Sequence, residues 1–308
     1  MNNAFLKDTL SSLSSTPKTL SSRYFYDAIG DGIFQEIMQM KEYYLPACEL
    51  EIIKNKTKDI SEEIESEKID VIELGAGDGT KAVYFLKALM DVGKEITYIP
   101  LDISDNVLKI NKEHISSQLP GLKIEPIAGD YFETMKALKE RNNPKLILFM
   151  GSNIGNFKDE KAVDFLKLVK SYMTAGDALL VGADLKKNPK TILAAYNDQA
   201  GITKRFNLNL LTRMNRELGA NFVVKNFDHY AFYDPASGTT YSYIVSLEKQ
   251  DVNIADKTFH FEKNECIHTE VSQKYSIADL EKLSSDVGFK KFTPFLDNKG
   301  WFCLGLMA

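Results

Sequence analysis

The sequence predicts an α/β protein built on an open parallel sheet, with an α+β segment inserted late in the chain. Three observations carry this. An apolar run, Ile69 to Leu74, stops at three glycines, Gly75, Gly77 and Gly79, and a helical pattern (Ala82, Val83, Phe85, Leu86, Leu89) follows at once. Further apolar runs end in glycine or polar residues, as strands do at the carboxyl edge of such a sheet. After Asp184 the rhythm changes: residues 221–248 and 258–274 alternate apolar with polar residues, the mark of half-buried antiparallel strands.

Taken in order, residues 1–20 are rich in Ser, Thr and Leu and read as an arm or peripheral turn. Tyr24 to Tyr44 is aromatic, with glycines that spoil any regular amphipathic pattern, and reads as loop plus short helix. Residues 48–65 are helical by periodicity and lead into the first strand at Ile69. A second run, 96–101, ends at Asp102; a third, 124–127, at Gly129-Asp130-Tyr131; a fourth, 146–150, at Gly151-Ser152-Asn153-Ile154-Gly155-Asn156. A fifth strand is expected at 178–181, then two helices between Pro189 and Leu218 parted by Gly201. A helix from Ile277 to Val287 and a strand from Trp301 to Leu306 close the chain. The simplest assembly is a seven-stranded core over residues 50–185 and 275–308, interrupted after its fifth strand. Residues 1–49 and 186–274 would form a second domain.

The glycine spacing narrows the ligand. Thr80 stands where a dinucleotide fingerprint needs its third glycine, and where a P-loop needs the glycine before its lysine. Glu73 followed by Gly-x-Gly-x-Gly suits S-adenosylmethionine, whose amino acid and ribose need close backbone approach but which has no pyrophosphate to hold. The motif alone can also be a glycine-rich turn of an ordinary α/β protein. Downstream residues add to it. Asp102, at the end of the second strand, is placed to accept both ribose hydroxyls. Asp130 can meet the adenine amino group and Tyr131 can stack on the ring. Gly75, Ala76 and Gly77 supply the backbone approach.

A net charge of −5 argues against a nucleic-acid surface, which needs a basic excess. No apolar stretch approaches the roughly 18 residues that cross a bilayer, and the first residues lack a basic-then-apolar signal pattern. Three cysteines, Cys48, Cys266 and Cys303, are widely spaced and fit neither a zinc site nor a disulfide framework. The four histidines are scattered, so no metal is expected. These features predict a cytoplasmic monomer acting on a small molecule, with neither nucleic acid nor membrane as partner.

Several motifs resemble one family. Tyr-Phe-Tyr-Asp-x3-Gly-Asp-x-Ile-Phe from Tyr24, then Glu42-Tyr43-Tyr44 and Cys48-Glu49-x-Glu51-Ile52, are similar to the histidine-specific Nα-methyltransferases of ergothioneine biosynthesis. So are Glu-Leu-Gly-Ala-Gly-x3-Lys, ending at Lys81, and Gly151-Ser152-x-Ile154-Gly155-Asn156. Ala195-Tyr196-Asn197-Asp198 and Asn215-Arg216-Glu217-Leu218 look like parts of that family's inserted domain, and Thr269-Glu270-Val271-Ser272-x-Lys274-Tyr275 like its end. The resemblance runs in one order over about residues 17–306. It implies a Rossmann-like methyltransferase core with an inserted substrate domain, S-adenosylmethionine as cofactor, and L-histidine as the acceptor, methylated on its α-amine to the dimethyl or trimethyl product. By position, Tyr26, Phe34 and Tyr43 would line the substrate pocket, and Asn156 and Tyr196 would hold the amino and carboxylate groups at the reacting centre. Glu270 and Ser272 would hydrogen-bond the imidazole, and Lys81 would join the cofactor residues.

The chain departs from the family at Met40-Lys41, at Tyr243-Ile244-Val245 and at Phe295. Two alternatives follow: an N-methyltransferase for another small or aromatic amino acid, and a non-catalytic S-adenosylmethionine-binding protein.

Overall fold

In a computed structural model, residues 3–308 are described, apart from the side chains of residues 3, 131, 132 and 159. The chain forms two units, Met1–Tyr44 with Lys187–Ser272, and Leu45–Lys186 with Gln273–Ala308.

The first unit opens with two helices, α1 (Asn3–Leu13) and α2 (Ala28–Gln39). Residues 3–13 are therefore a helix and not an arm: Phe5, Thr9 and Leu13 are buried, one narrow stripe at four-residue spacing. The segment that reads as loop plus short helix is also more regular, since α2 has 12 residues. Asp27 caps it by accepting the Gly30 N–H at 2.7 Å. Gly30 is there for close approach, because a Cβ would lie 1.9 Å from the Phe25 carbonyl oxygen.

The second unit holds α3 (Leu45–Glu62), β1 (Lys68–Leu74), α4 (Ala82–Asp91), β2 (Glu95–Asp102), α5 (Asp105–Gln118), β3 (Lys123–Ile124), β4 (Ile127–Ala128), α6 (Tyr131–Thr134), β5 (Lys145–Phe149), α7 (Asp159–Ser171) and β6 (Ala178–Asp184). The chain then returns to the first unit for α8 (Pro189–Tyr196), α9 (Ile202–Leu218), β7 (Phe227–Asp234), β8 (Thr239–Ser246), β9 (Gln250–Ile254), β10 (Lys257–Phe261) and β11 (Cys266–Gln273), whose last residue already belongs to the second unit. There α10 (Ile277–Val287), β12 (Phe292–Leu296) and β13 (Phe302–Met307) complete the fold.

The main sheet runs β12-β13-β6-β5-β1-β2-β3, with β4 also on β2. Strands β6 to β3 are parallel, and β13 is antiparallel to both β6 and β12. Seven strand positions thus contain eight strands, because the expected third strand is broken between Ile124 and Ile127. Pro126 has no N–H to give the ladder. Strand β12 has no counterpart in the sequence reading. The core of this unit gathers Ile72, Ile99, Ile147 and Leu179 from the sheet with Leu166 of α7 and Leu283 of α10.

In the first unit β11-β8-β7 form one sheet and β10-β9 another. Phe5, Ile33, Phe206, Leu210, Ile244 and Ile267 share its core. Asp198 ends the turn between α8 and α9 by accepting the N–H groups of Ile202 and Thr203, each at 2.8 Å. Among the described residues no helix is long and apolar enough to cross a membrane.

Candidate active site

The residues singled out in the sequence fall into two groups, one in each unit. In the second unit the loop after β1 is held by the end of β2. Gly75 and Ala76 donate their N–H groups to the Leu101 carbonyl at 2.8 and 3.1 Å. Gly77 donates to Asp102 Oδ2 at 3.1 Å, while Asp102 Oδ1 accepts from Ser104 N–H at 3.0 Å. The glycines are required for two reasons. Gly75, Gly77 and Gly79 all have positive φ, at 71°, 55° and 78°, a region costly for other residues. A Cβ on Gly79 would also meet the Asn111 amide nitrogen at 3.0 Å, whereas the space over Gly77 is open for 4 Å. The backbone of Gly77 can therefore be approached closely.

Beneath the loop lies a polar network. Tyr98 donates its hydroxyl proton to Glu73, and the Asn111 amide donates to the Gly77 carbonyl at 3.0 Å. Burial pushes the Glu73 carboxyl up to about 7, against the Tyr98 hydrogen bond and the Lys81 charge, which pull it down.

Beyond Asp102, Ile103 is 77% exposed, an apolar surface beside a carboxylate. The sequence reading passed over it. β4 pairs with β2 through Asp102 and Ala128, so exposed Asp130 stands two residues past the end of the neighbouring strand. Tyr131 begins α6, and its side chain lies outside the described residues. Lys81, at the start of α4, pairs with Glu49 of α3. The Gly151–Asn156 loop turns through Ser152, a non-glycine at φ 61°. The Ser152 hydroxyl accepts the Asp184 N–H at 2.9 Å, which pins this conformation, and Asn156 is exposed at the loop's far end.

The second group lies in the first unit. Tyr196, ending α8, donates its hydroxyl proton to Ser272 Oγ at 2.9 Å, and both are buried. Glu270 sits two residues before Ser272 on β11, half-buried; side chains two apart on a strand share a face. His268 is next on that face, and its ring lies 5.3 Å from Tyr243 and 6.1 Å from Tyr241. Phe232 stacks on both tyrosines. Tyr26 and Phe34 meet edge-on with ring centres 5.4 Å apart, and Phe206 of α9 touches both. Phe206 was not singled out, because in sequence it is one more apolar residue on a helix. Tyr43 is partly buried against the core of the unit.

The strand ends of the second unit thus offer backbone N–H groups, carboxylates and apolar surface; the first unit offers a hydroxyl pair, a carboxylate and a wall of rings. Comparisons with known proteins give the family to which the chain belongs. The model of a family described as histidine-specific methyltransferase, S-adenosylmethionine-dependent, matches residues 5–308. A histidine N-alpha-methyltransferase of Mycobacterium tuberculosis is 31% identical over 307 residues, covering 99% of this chain and 95% of its own. Ergothioneine biosynthesis protein 1 of Neurospora crassa is 30% identical over 285 residues, 89% of this chain and 31% of that protein. An L-tryptophan methyltransferase of Psilocybe serbica is 27% identical, with 93% and 87% covered. The chain belongs to the family of histidine-specific, S-adenosylmethionine-dependent methyltransferases.

Proposed function

We propose that the enzyme methylates the α-amino group of L-histidine in successive transfers up to the trimethylated product. In this reading the unit containing β1 to β6 holds the cofactor and the unit containing β7 to β10 holds the amino acid. The observation that carries it is the buried Tyr196–Ser272 hydrogen bond beside Glu270. An imidazole has one nitrogen that donates and one that accepts. A carboxylate only accepts, whereas a hydroxyl does both, so Glu270 and Ser272 together suit that ring. Tyr196 steadies the hydroxyl and takes part in holding the main-chain groups. Asn156 keeps the role that the resemblance gives it, as a partner of the α-amine. Tyr26, Phe34 and Tyr43 supply apolar walls, whose ring faces also favour the cationic intermediates.

The cofactor residues fit an adenosyl group with an amino-acid tail. Open backbone at Gly77 supports close approach, Asp102 ends β2 and Asp130 follows β4, and Gly75, Ala76 and Lys81 border the loop. Tyr131 is assigned from the resemblance alone. Bound there, S-adenosylmethionine supplies a methyl group on a positively charged sulfur. The residues of the chain need form no covalent bond. They hold an amine that has given up its proton, align its lone pair and keep water away. The same reading makes the protein a cytoplasmic monomer without nucleic-acid or membrane partners; its cysteines stand as thiols.

Incubation with histidine and S-adenosylmethionine is expected to give mass gains in steps of one methyl. No gain, with S-adenosylhomocysteine shown to bind, would sink the histidine assignment. A residue-level test follows from Glu270. Glu270→Ala is expected to weaken histidine binding by about 1.5–3 kcal/mol, roughly ten- to a hundredfold, and to leave S-adenosylhomocysteine binding unchanged. Calorimetric titration of both ligands checks this. Unchanged histidine affinity would mean that the imidazole lies elsewhere.

One observation favours a second reading, an acceptor with a larger ring. The strand face that bears Glu270 continues through His268 to Tyr241 and Tyr243. Thermal shifts with a panel of amino acids, S-adenosylhomocysteine present, separate the two, because the true acceptor stabilises by mass action.

A further inference from the structure

Glu49 differs from the other acids of α3. Its side chain is 1% exposed, and its two oxygens serve two different loops. Oε2 accepts from the Lys81 ammonium, where the glycine loop passes into α4. Oε1 accepts from the Gly151 N–H at 2.7 Å, at the first residue after β5. Room for this carboxylate is made by Gly182 of β6, where a Cβ would stand 2.8 Å from Oε1. The Lys81 ammonium in turn lies 3.7 Å from where a Gly151 Cβ would be. One carboxylate therefore joins the cofactor loop to the loop that ends at Asn156.

A buried ion pair is a poor source of stability, since well-packed apolar side chains of the same volume do as well or better. What it can supply is a charge fixed in place. Burial works against the charge on Lys81, but the carboxylates facing it, Glu49 foremost and then Glu73 and Asp78, together outweigh it and hold the ammonium's pKa above the ordinary lysine value.

We propose that Glu49 is a positioning residue for methyl transfer: it keeps the Lys81 ammonium fixed between the two loops to receive the carboxylate of the cofactor's amino-acid tail. This rests on the cofactor assignment above and is independent of which amino acid accepts the methyl group.

The test is calorimetric titration of S-adenosylhomocysteine into wild type and Glu49→Gln between pH 7 and 9.5. Glutamine still accepts from Gly151 N–H but takes away the nearest of the carboxylates that face the ammonium, leaving Glu73 and Asp78. Binding is expected to weaken about tenfold at pH 7. The deficit grows with pH, by up to about tenfold per unit once the variant's ammonium titrates. Titration of the ligand's own amine is common to both proteins and cancels in their ratio. In a Lys81→Met background the same substitution is expected to add no pH dependence. Should Glu49→Gln fail to fold, Glu49→Asp draws the carboxylate back by one methylene and is expected to give a smaller loss that grows with pH in the same direction. A ratio that stays flat with pH, or unchanged affinity with only a lower melting temperature, overturns the proposal. Wild-type affinity reads the cofactor assignment by itself, so the two ideas fail separately.

Discussion

Replacing Lys274 by Met is expected to destabilise the protein by about 3–5 kcal/mol, the cost of breaking a buried ion pair by removing one of its members. Lys274 Nζ lies 2.9 Å from Asp184 Oδ2, and both side chains are wholly buried. The methionine fills most of the volume, so the loss measures the removal of the ammonium from beside the Asp184 carboxylate rather than a cavity. Replacing both residues, as Asp184→Leu with Lys274→Met, is expected to recover much of the stability, because neither charge of the pair is then left at that place. Urea denaturation of the three proteins checks this. A single-variant loss below about 1 kcal/mol would mean that water reaches Asp184.

Glu73→Gln is expected to act in the other direction, and only above a certain pH. The folded protein holds the Glu73 proton up to about pH 7, whereas an ordinary glutamate releases it near 4.5. Between those values the folded state carries a proton that the unfolded chain has lost. Wild-type stability therefore falls as pH rises through that window, by about 3 kcal/mol in all, and levels off above it. Glutamine still accepts from Tyr98 and has no charge to bury. Its advantage over wild type is expected to be small at pH 4.5, to grow to pH 7 and then to hold. Melting temperatures of both proteins across that range decide it, and parallel curves would show that Glu73 is better solvated than its surroundings suggest.

The parallel strands were legible in the sequence because burial on both faces makes each a short apolar run, and because the sheet's carboxyl edge must end in glycines and polar groups. Strand β12 was not legible. It is an edge strand with only Phe295 buried, and it contains Pro294. Helix α1 was hidden by Thr9, a polar residue in the middle of its buried stripe. Asp102 and the glycine loop could be read because their chemistry depends on local spacing. Glu49 could not be assigned a role, since an acid on a helix ordinarily faces water; only the packing of α3 against Gly182 and Gly151 turns it inward. The resemblance gave Tyr196 and Ser272 each a role but not their hydrogen bond, since they stand 76 residues apart in the chain and meet only through the fold.

The place where the inserted segment departs and returns has a consequence for how such enzymes diversify. Leu185 and Tyr275 form a parallel bridge, Tyr275 N–H donates to the Asp184 carbonyl at 3.0 Å, and Lys186 N–H donates to the Tyr275 carbonyl at 2.8 Å. The segment between them therefore begins and ends on hydrogen-bonded neighbours, with the Asp184–Lys274 pair beneath. A stretch of chain with adjacent ends can be lengthened, shortened or exchanged without moving the strands on either side. New acceptors are thus open to selection, or to grafting in the laboratory, by rewriting residues 187–272 while β6 and α10 keep their places.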